Sequence, residues 1–476
     1  MSQSTDLECE SLLRVNGVGW HHLWVYAFLI LMQISIVGIC AGFNASCNQW
    51  YQIVFDVDYY DYLDDYIIPI YTYWWIPTLP VYFAVGVCAD KFGRWWTLVG
   101  CTVASLALSP LLWYPSGPPM YSAGWVVVKD LGVGCMSMLV LLYLYESIAR
   151  KWRGIALVGF SMVHSFGEIM ISLITSSGDY MEMTDTDNGM PNWWRVVSAA
   201  PFCLLAVSLL LGLVAVNRDT QFSIAMRACS NCEEIPSLWG VLKSVWTNLA
   251  VCTIAFVGYI YTDQIPLNAY FYVFQAYIGE SYQFNMMRGE ILTHVCVMFG
   301  VLIAVAVWTR TGIKLAPTVC LTACAVAAGI LSSVYLYDGQ WVKDMSEFST
   351  GQVVTMGVGL GLAYMAIGVL YAILNFLVLE MFPSKFRGRG IAIYTILMVI
   401  MNNSARIVRQ YHRQDPNLMY ILCGVFAGLA IIVGYGFMKT DWFNKSDIAK
   451  RATIDDDASE DTIKLHCHER SECVRV

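Results

Sequence analysis

Glu146-Ser147-Ile148-Ala149-Arg150-Lys151-Trp152-Arg153-Gly154 and Glu380-Met381-Phe382-Pro383-Ser384-Lys385-Phe386-Arg387-Gly388 decide the fold of this chain. Each stretch places a glutamate at the end of an apolar run, then six residues, then Arg-Gly. The second copy begins 234 residues after the first, near half of the 476-residue length. Matched charges at the ends of apolar segments, repeated at that separation, point to an internally duplicated membrane protein rather than a soluble enzyme.

Composition agrees. Hydrophobic residues make up 57% of the chain, charged residues 13%, and mean hydropathy is +0.55. An average soluble chain has roughly 25% charged residues and can bury its apolar surface; this one cannot. Length alone would correspond to roughly three soluble domains. Instead, apolar stretches of about twenty residues recur, each long enough to cross a hydrocarbon core of about 30 Å. Twelve spans are predicted: from 23 to 43, then near 67 to 88, 96 to 114, 121 to 145, 155 to 176 and 194 to 216. After a polar segment from 217 to 246, six more follow near 247 to 274, 290 to 308, 315 to 336, 351 to 379, 389 to 408 and 418 to 438. The expectation is an all-α membrane protein of two six-helix bundles (23–216 and 247–438), a 22-residue N-terminal segment, a linker at 217–246 and a disordered tail at 439–476. The first run is too long for a removable signal peptide and has no small-residue cleavage site.

Basic residues are retained on the cytoplasmic side of short loops. Lys91 and Arg94, Arg150, Lys151 and Arg153, Arg310 and Lys314, and Lys385, Arg387 and Arg389 all fall on one predicted side. The other side has a loop from Asn44 to Asp65 with five aspartates and no Lys or Arg, and a second acidic loop with Asp179, Glu182, Asp185 and Asp187. Both termini are therefore expected in the cytoplasm of a multi-pass protein, at the plasma membrane or an endosomal or vesicular membrane. Asn44-Ala45-Ser46 is a glycosylation sequon on the outer side, with Asn44 the candidate acceptor. The sixteen cysteines lie mostly in spans or cytoplasmic segments, with Cys47 the external exception, so no disulfide framework is expected. Cys229 and Cys232 lack a second pair to complete a zinc site, and no metal or other cofactor is assigned.

The loop after the second span reads Gly86-Val87-Cys88-Ala89-Asp90-Lys91-Phe92-Gly93-Arg94, followed by Trp95. Asp can accept from helix-end N–H groups, Gly makes the turn, and Arg pairs with carboxylates or terminal carbonyls. The corresponding loop of the second half, Arg310-Thr311-Gly312-Ile313-Lys314, keeps the Gly and the bases and lacks the acid. The first-half loop resembles the signature of the major facilitator superfamily, with Trp95 where a further base is usual. The resemblance implies a gating role for Asp90, Gly93, Arg94, Glu146, Arg153, Glu380 and Arg387: charge networks at cytoplasmic helix ends that close an inner gate and separate when the bundles rock. The asymmetry implies a gate that leans on the first-half network.

Within that superfamily the chain is similar to the organic cation and anion transporters, and next to sugar porters. Phe160 to Glu168 resembles their fifth span, Trp194-Arg195 with Pro201 their sixth, and Glu380-Met381-Phe382-Pro383 with Arg387 their Glu-aromatic-Pro and Arg element. Asp263-Gln264-Ile265-Pro266-Leu267-Asn268 is comparable to the seventh-span Asn-containing stretch of both families. The chain departs from the pattern in a first external loop of about two dozen residues with one Cys, in Asn217-Arg218-Asp219-Thr220 where Pro-Glu-Ser-Pro-Arg is usual, and in Val399 where a charge-selecting residue is usual. The charge of the substrate does not carry over.

An ionisable residue within a span costs at least ~2.5 kcal/mol at the bilayer centre unless it meets a partner or a wet cavity. On that ground Glu168, His164, Lys129, Asp130, Asp263, Gln264, Asn402 and Asn403 are the candidate substrate-binding residues. His164 and Glu168 share a helix face and can hydrogen-bond or relay a proton. The alternative for Glu168 is a buried pair with Lys129, and for the asparagines interhelical packing. Aromatic residues such as Tyr71, Trp74, Tyr259 and Tyr270 offer stacking or cation–π contacts, with interface belts as the alternative. Glu168 and Asp263 beneath an acidic outer loop favour a cation slightly.

The expected function is transport of a small organic solute, an organic ion before a sugar or other polar metabolite, by alternating access, with a proton or other ion as possible coupling partner and the lipid bilayer as surroundings. The competing class is a transport-inactive receptor or scaffold. No phosphate-binding Gly-Lys-Ser/Thr loop is present, no catalytic constellation points to an enzyme, and nothing indicates nucleic acid. Glu8-Cys9-Glu10-Ser11-Leu12-Leu13 matches an acidic dileucine sorting pattern, and the terminal Val474-Arg475-Val476 fits a PDZ edge.

Overall fold

The computed structural model describes residues 20–55, 75–113, 124, 126–148, 152–177, 193–216, 220, 238–264, 282–311, 319–320, 322–327, 329–330, 350–382, 386–411, 424–425 and 428. Among these the chain is helical, with no strand. Six of the described helices are long and apolar enough to cross a membrane. The acidic residues of the outer loops, the cysteine pair at 229 and 232, and both termini with their sorting patterns lie outside the described residues.

In the first half, α1 runs Trp20–Phe55, α2 Leu79–Phe92, α3 Arg94–Leu108, α4 Cys135–Ser147, α5 Arg153–Ser177 and α6 Trp193–Leu211. A π-helical segment, Val127–Gly134, leads into α4. In the second half, α7 runs Leu238–Gln264, α8 Tyr282–Thr311, α9 Thr350–Met381 and α10 Arg387–Tyr411. Most boundaries fall where hydropathy places them. Three differ. The first helix continues to Phe55 through the stretch expected to be an outer loop from Asn44, because no Gly or Pro follows Asn44 to break it, so Asn44 lies on a helix. The seventh span starts at Leu238 rather than near 247, inside the segment read as linker, and the eighth at Tyr282 rather than near 290.

Local chemistry sets several ends. A proline opens α2, where its missing N–H is harmless and its fixed φ suits the first turn. Gly93 closes α2 at φ 101°, a conformation a side chain disfavours, and Arg94 starts α3 at once. This one residue turns the chain between two antiparallel neighbours.

Helix contacts pass within and between the halves. In the first half α1 packs on α5 and α6, and α3 on α2 and α4. In the second, α9 packs on α7 and α8, and α7 on α10. Across the seam, α5 meets α8 and α2 meets α10. The duplication matches span two with eight and five with eleven, so a two-fold axis that superposes the halves exchanges these two seam pairs. The apolar core is continuous through the seam, with Tyr145 against Phe376 at 6.2 Å and Phe256 against Tyr394 at 5.8 Å among its ring contacts. Outward faces remain apolar: Trp24, Trp96, Val214, Trp239 and Trp246 are exposed, as helices facing lipid require.

Candidate functional site

Two polar clusters lie on the seam. The first is built from the repeated motifs and the loop after α2, at the end of the molecule where the sequence concentrates Lys and Arg. Arg94 donates through Nη1 to the Ala89 carbonyl at 3.0 Å and through Nη2 to Glu146 Oε1 at 3.0 Å. The first bond satisfies a carbonyl at the C-terminal end of α2, where a cation also complements the helix dipole. Asp90 Oδ1 stands 3.7 Å from the same guanidinium. Glu146 has no exposed side-chain surface. Its Oε1 also meets Arg387 Nη1 of the second half at 3.4 Å, and its Oε2 accepts from the Thr220 hydroxyl at 2.8 Å.

The seven-residue step from Glu to Arg in each motif has a local use. Arg153 Nε donates to the Ile148 carbonyl at 3.0 Å, and Arg387 Nε to the Leu379 carbonyl at 3.0 Å. Each arginine thus folds back onto the end of the helix before it, satisfying a carbonyl that the helix leaves unpaired. Both guanidiniums lie over the buried ring of Tyr145, Arg153 at 4.6 Å and Arg387 at 4.8 Å from its centroid. One aromatic ring thus meets an arginine of each half.

Asp90 completes this cluster. Its Oδ1 accepts from the backbone N–H of Gly388 at 2.9 Å; its Oδ2 accepts from the backbone N–H of Arg389 at 3.1 Å and from Arg389 Nε at 3.0 Å. Those N–H groups belong to the first turn of α10, which has no intrahelical partners for them, so an α2 carboxylate caps a helix of the other half. The backbones come close to allow it. A Cβ on Gly388 would lie 2.6 Å from Asp90 Oδ1 and 2.7 Å from the Gly86 carbonyl, and one on Gly86 would lie 2.6 Å from the Gly388 carbonyl. Asp90 stands past the predicted end of its span. Burial pushes its carboxyl above the usual carboxylate range, against the pull of Arg94, Arg389 and the two N–H groups.

The second cluster lies along α5. His164 Nε2 is 3.9 Å from Glu168 Oε1, and Nδ1 is 3.4 Å from the Gln33 amide nitrogen on α1. His294 of α8 interacts electrostatically with His164 across the seam. Half of the His164 side chain, 49%, faces open space. The exposed apolar residues of α5, Phe166, Met170 and Leu173, lie about 180–240° around the helix from it at about 100° per residue. Exposed apolar residues thus mark one face of α5, and His164 with Glu168 lies on another.

No family model matches the sequence, and no curated protein matches it significantly. Solved structures do. The proton:xylose symporter XylE bound to 6-bromo-6-deoxy-D-glucose aligns over 87% of this chain and 95% of its own with a TM-score of 0.64 at 16% identity. A partially occluded inward open form of the xylose transporter XylE from E. coli gives 0.59 at 15% identity over 87% of this chain and 97% of its own. The human organic anion transporter MFSD10 gives 0.57 at 11% identity over 88% and 99% of the two chains. The chain has the major facilitator fold. It is an all-α membrane protein of twelve transmembrane helices in two six-helix bundles, and at these identities the likeness is one of fold.

In the major facilitator fold both clusters lie between the bundles, and the sequence-predicted residues divide among them. Asp90, Arg94, Glu146 and Arg387 meet directly in the first, with Gly93 as the turn and Arg153 over Tyr145. Glu380 is half-buried at the end of α9. His164 and Glu168 meet in the second. Lys129 is half-buried on the π-helical segment, one residue before Asp130. Asp263 and Gln264 close α7; their side chains, like that of Asp130, lie outside the described residues. Asn403 is buried and its amide donates to the Val399 carbonyl at 3.0 Å one turn back, so it is tied to its own helix, while Asn402 is half-buried beside it. Three members were missed from sequence: Gln33, His294 and Thr220. His294 carried a usable signal, an ionisable ring inside a predicted span. Among the described residues no group of His, Cys, Asp and Glu has the arrangement of a metal site.

Proposed function

We propose that this chain is a membrane carrier that moves a small organic solute by alternating access, with the Lys/Arg-rich end in the cytoplasm. The observation that supports it most is the charged network joining the bundles at one end: Asp90 capping α10 and Glu146 held between Arg94 and Arg387. Such contacts hold one end shut through a few directional bonds, all of which a small rotation of one bundle breaks together. Apolar packing alone would not let go so sharply. The solved proteins of this fold, a xylose symporter and an organic anion transporter, support a solute carrier as the class.

The solute is an organic ion, with a slight preference for a cation because Glu168 is the acid beside the exposed His164 on α5. A sugar or other polar metabolite is the second reading, favoured by the similarity to XylE. Reconstituted into vesicles, the protein should take up one of a labelled organic cation, organic anion or hexose, and Glu168→Gln should lower that uptake at least tenfold. Folded protein that moves none of them across either direction of gradient would discard the carrier in favour of a receptor or scaffold.

A further inference from the structure

Two histidines from opposite bundles come together on the seam between α5 and α8. His164 and His294 are near enough for each to feel the other's charge. Glu168 stands one turn along α5, its Oε1 3.9 Å from His164 Nε2. On the far edge of the ring, Nδ1 lies 3.4 Å from the amide nitrogen of Gln33. Gln33 is 6% exposed, and its amide oxygen has no partner; Nδ1 of His294 is also buried without one. Buried polar atoms are normally satisfied, so two such atoms left open on the helices that flank His164 need a reason.

Proton exchange supplies it. In the neutral ring, Nδ1 accepts from the Gln33 N–H, which leaves the ring proton on Nε2 facing Glu168. At 3.9 Å that approach is too long for a hydrogen bond, so the pair is poised rather than closed. Once protonated, both ring nitrogens donate. Half a turn of the Gln33 amide then offers its unpartnered oxygen to Nδ1, and Glu168 receives a charge-assisted bond from Nε2. The same side chains thus serve both protonation states. His294 limits the occupancy, because two neighbouring imidazolium rings repel and one carboxylate neutralises only one of them.

The other helices packed on α5 leave this arrangement undisturbed. α1 has no Asp, Glu, Lys or Arg, and its histidines, His21 and His22, stand in its first turn, about 16 Å along the helix from Gln33 at about 1.5 Å per residue; α9 has no charged residue from Thr350 to Leu379. On α6 the charged residue is Arg195, in the first turn at the outer end. The π-helical segment before α4 holds Lys129 and Asp130, α4 itself ends at Glu146 in the network at the basic end, and on α8 Glu290 stands one turn before His294, with Arg288 and Arg310 further off. The open space beside His164 gives a proton a way in.

We propose that His164, Glu168 and His294, with Gln33 as an amide that serves either state, form a one-proton site on the seam, and that proton binding there is linked to the rocking of the bundles. This rests on the alternating-access reading, since rocking changes the distance between α5 and α8 and with it the affinity for the proton. A ligand bound unequally by two states shifts their balance, and the states in turn shift its affinity.

The test uses the full chain in lipid nanodiscs, with the proton as the only ligand. Spin labels at Lys91 and Lys243, both exposed and on opposite bundles, report opening at the basic end, in a background from which reactive cysteines have been removed. Between about pH 4 and pH 8, a window that covers both an exposed and a desolvated histidine, the open-to-closed ratio should change several-fold, with a ceiling of about tenfold per pH unit for one linked proton. Glu168→Gln and His164→Gln should each flatten this response, and His294→Gln should move its midpoint. Asp90→Asn is measured alongside. If it opens the basic end while pH does nothing, or if the pH response survives unchanged in Glu168→Gln, the proton site is wrong and the carrier reading stands. If neither pH nor Asp90→Asn moves the labels, alternating access fails and the proton site falls with it. Should His164→Gln not fold, Glu168→Gln carries the decision, since it keeps the shape of the side chain and removes only its charge.

Discussion

The Asp90 carboxylate and the Gly388 backbone N–H meet at 2.9 Å across the seam, so an acid in a loop motif of one half caps a helix of the other. Arg389 supplies two further donors, so one carboxylate takes three hydrogen bonds from the other half. A carboxylate at a helix N-terminus gains both from orphan N–H groups and from the dipole. The contact is directional and vanishes once α10 moves by a few ångströms.

Asp90→Asn keeps one acceptor oxygen and replaces the other with a donor facing the Arg389 N–H. Hydrogen bonds to charged groups contribute about 1.5–3 kcal/mol each, so losing one with its charge should raise the open population at the basic end roughly tenfold to a hundredfold. Distances between labels at Lys91 and Lys243 measure it. An unchanged distribution would mean that the motif only sets topology.

Gly388→Ala tests the same contact by shape alone. Its Cβ would lie 2.6 Å from Asp90 Oδ1 and 2.7 Å from the Gly86 carbonyl, and backbone cannot give way cheaply. Overpacking of this kind costs about 1–3 kcal/mol, here in the closed form only. Opening should match or exceed that of Asp90→Asn, with the midpoint of thermal unfolding little changed. Gly86→Ala should behave alike, because its Cβ would meet the Gly388 carbonyl and the Ala392 methyl.

Thr220 follows α6 and is held by its hydroxyl to Glu146 Oε2 at 2.8 Å. This fastens the chain leaving the first bundle to the carboxylate that holds Arg94 and Arg387. Thr220→Val keeps the shape and removes the donor, leaving part of a buried carboxylate unsatisfied, which should open the basic end by about tenfold. Thr220→Ser should restore it. Thr220→Glu, which sets a second acid beside Glu146, should open it further than valine does, and a closed distribution with Glu would contradict this arrangement.

Much of this was readable in the sequence, and the reasons for the rest are specific. Hydropathy located the helices because lipid demands about twenty apolar residues per crossing. It misplaced the end of α1 and the starts of α7 and α8, where helices run on past the membrane-length segment into polar sequence. The motif around Asp90 indicated an acid seeking helix-end N–H groups, yet not that α10 supplies them, since a loop motif holds no information about the helix of another bundle. Asn403 shows the converse: a polar residue in a span whose amide is satisfied by Val399 one turn back. His294 and Gln33 escaped notice because attention went to formal charge, and at neutral pH neither need carry any.

Tyr145 separates the two claims that its neighbourhood allows. Its ring lies beneath the guanidiniums of Arg153 and Arg387, but its hydroxyl is buried without a hydrogen-bond partner. A cation–π contact contributes about 0.5–2 kcal/mol, whereas an unsatisfied buried hydroxyl is a liability of about 1–3 kcal/mol. Tyr145→Phe keeps the ring and removes the liability, so it should leave the closed form as populated as before or more so. Tyr145→Leu removes the ring that an arginine of each half meets, and should open the basic end by several-fold. Paired label distances for the two variants decide the matter. Equal opening in both would show that the hydroxyl, not the ring, holds the arginines of the two halves in place.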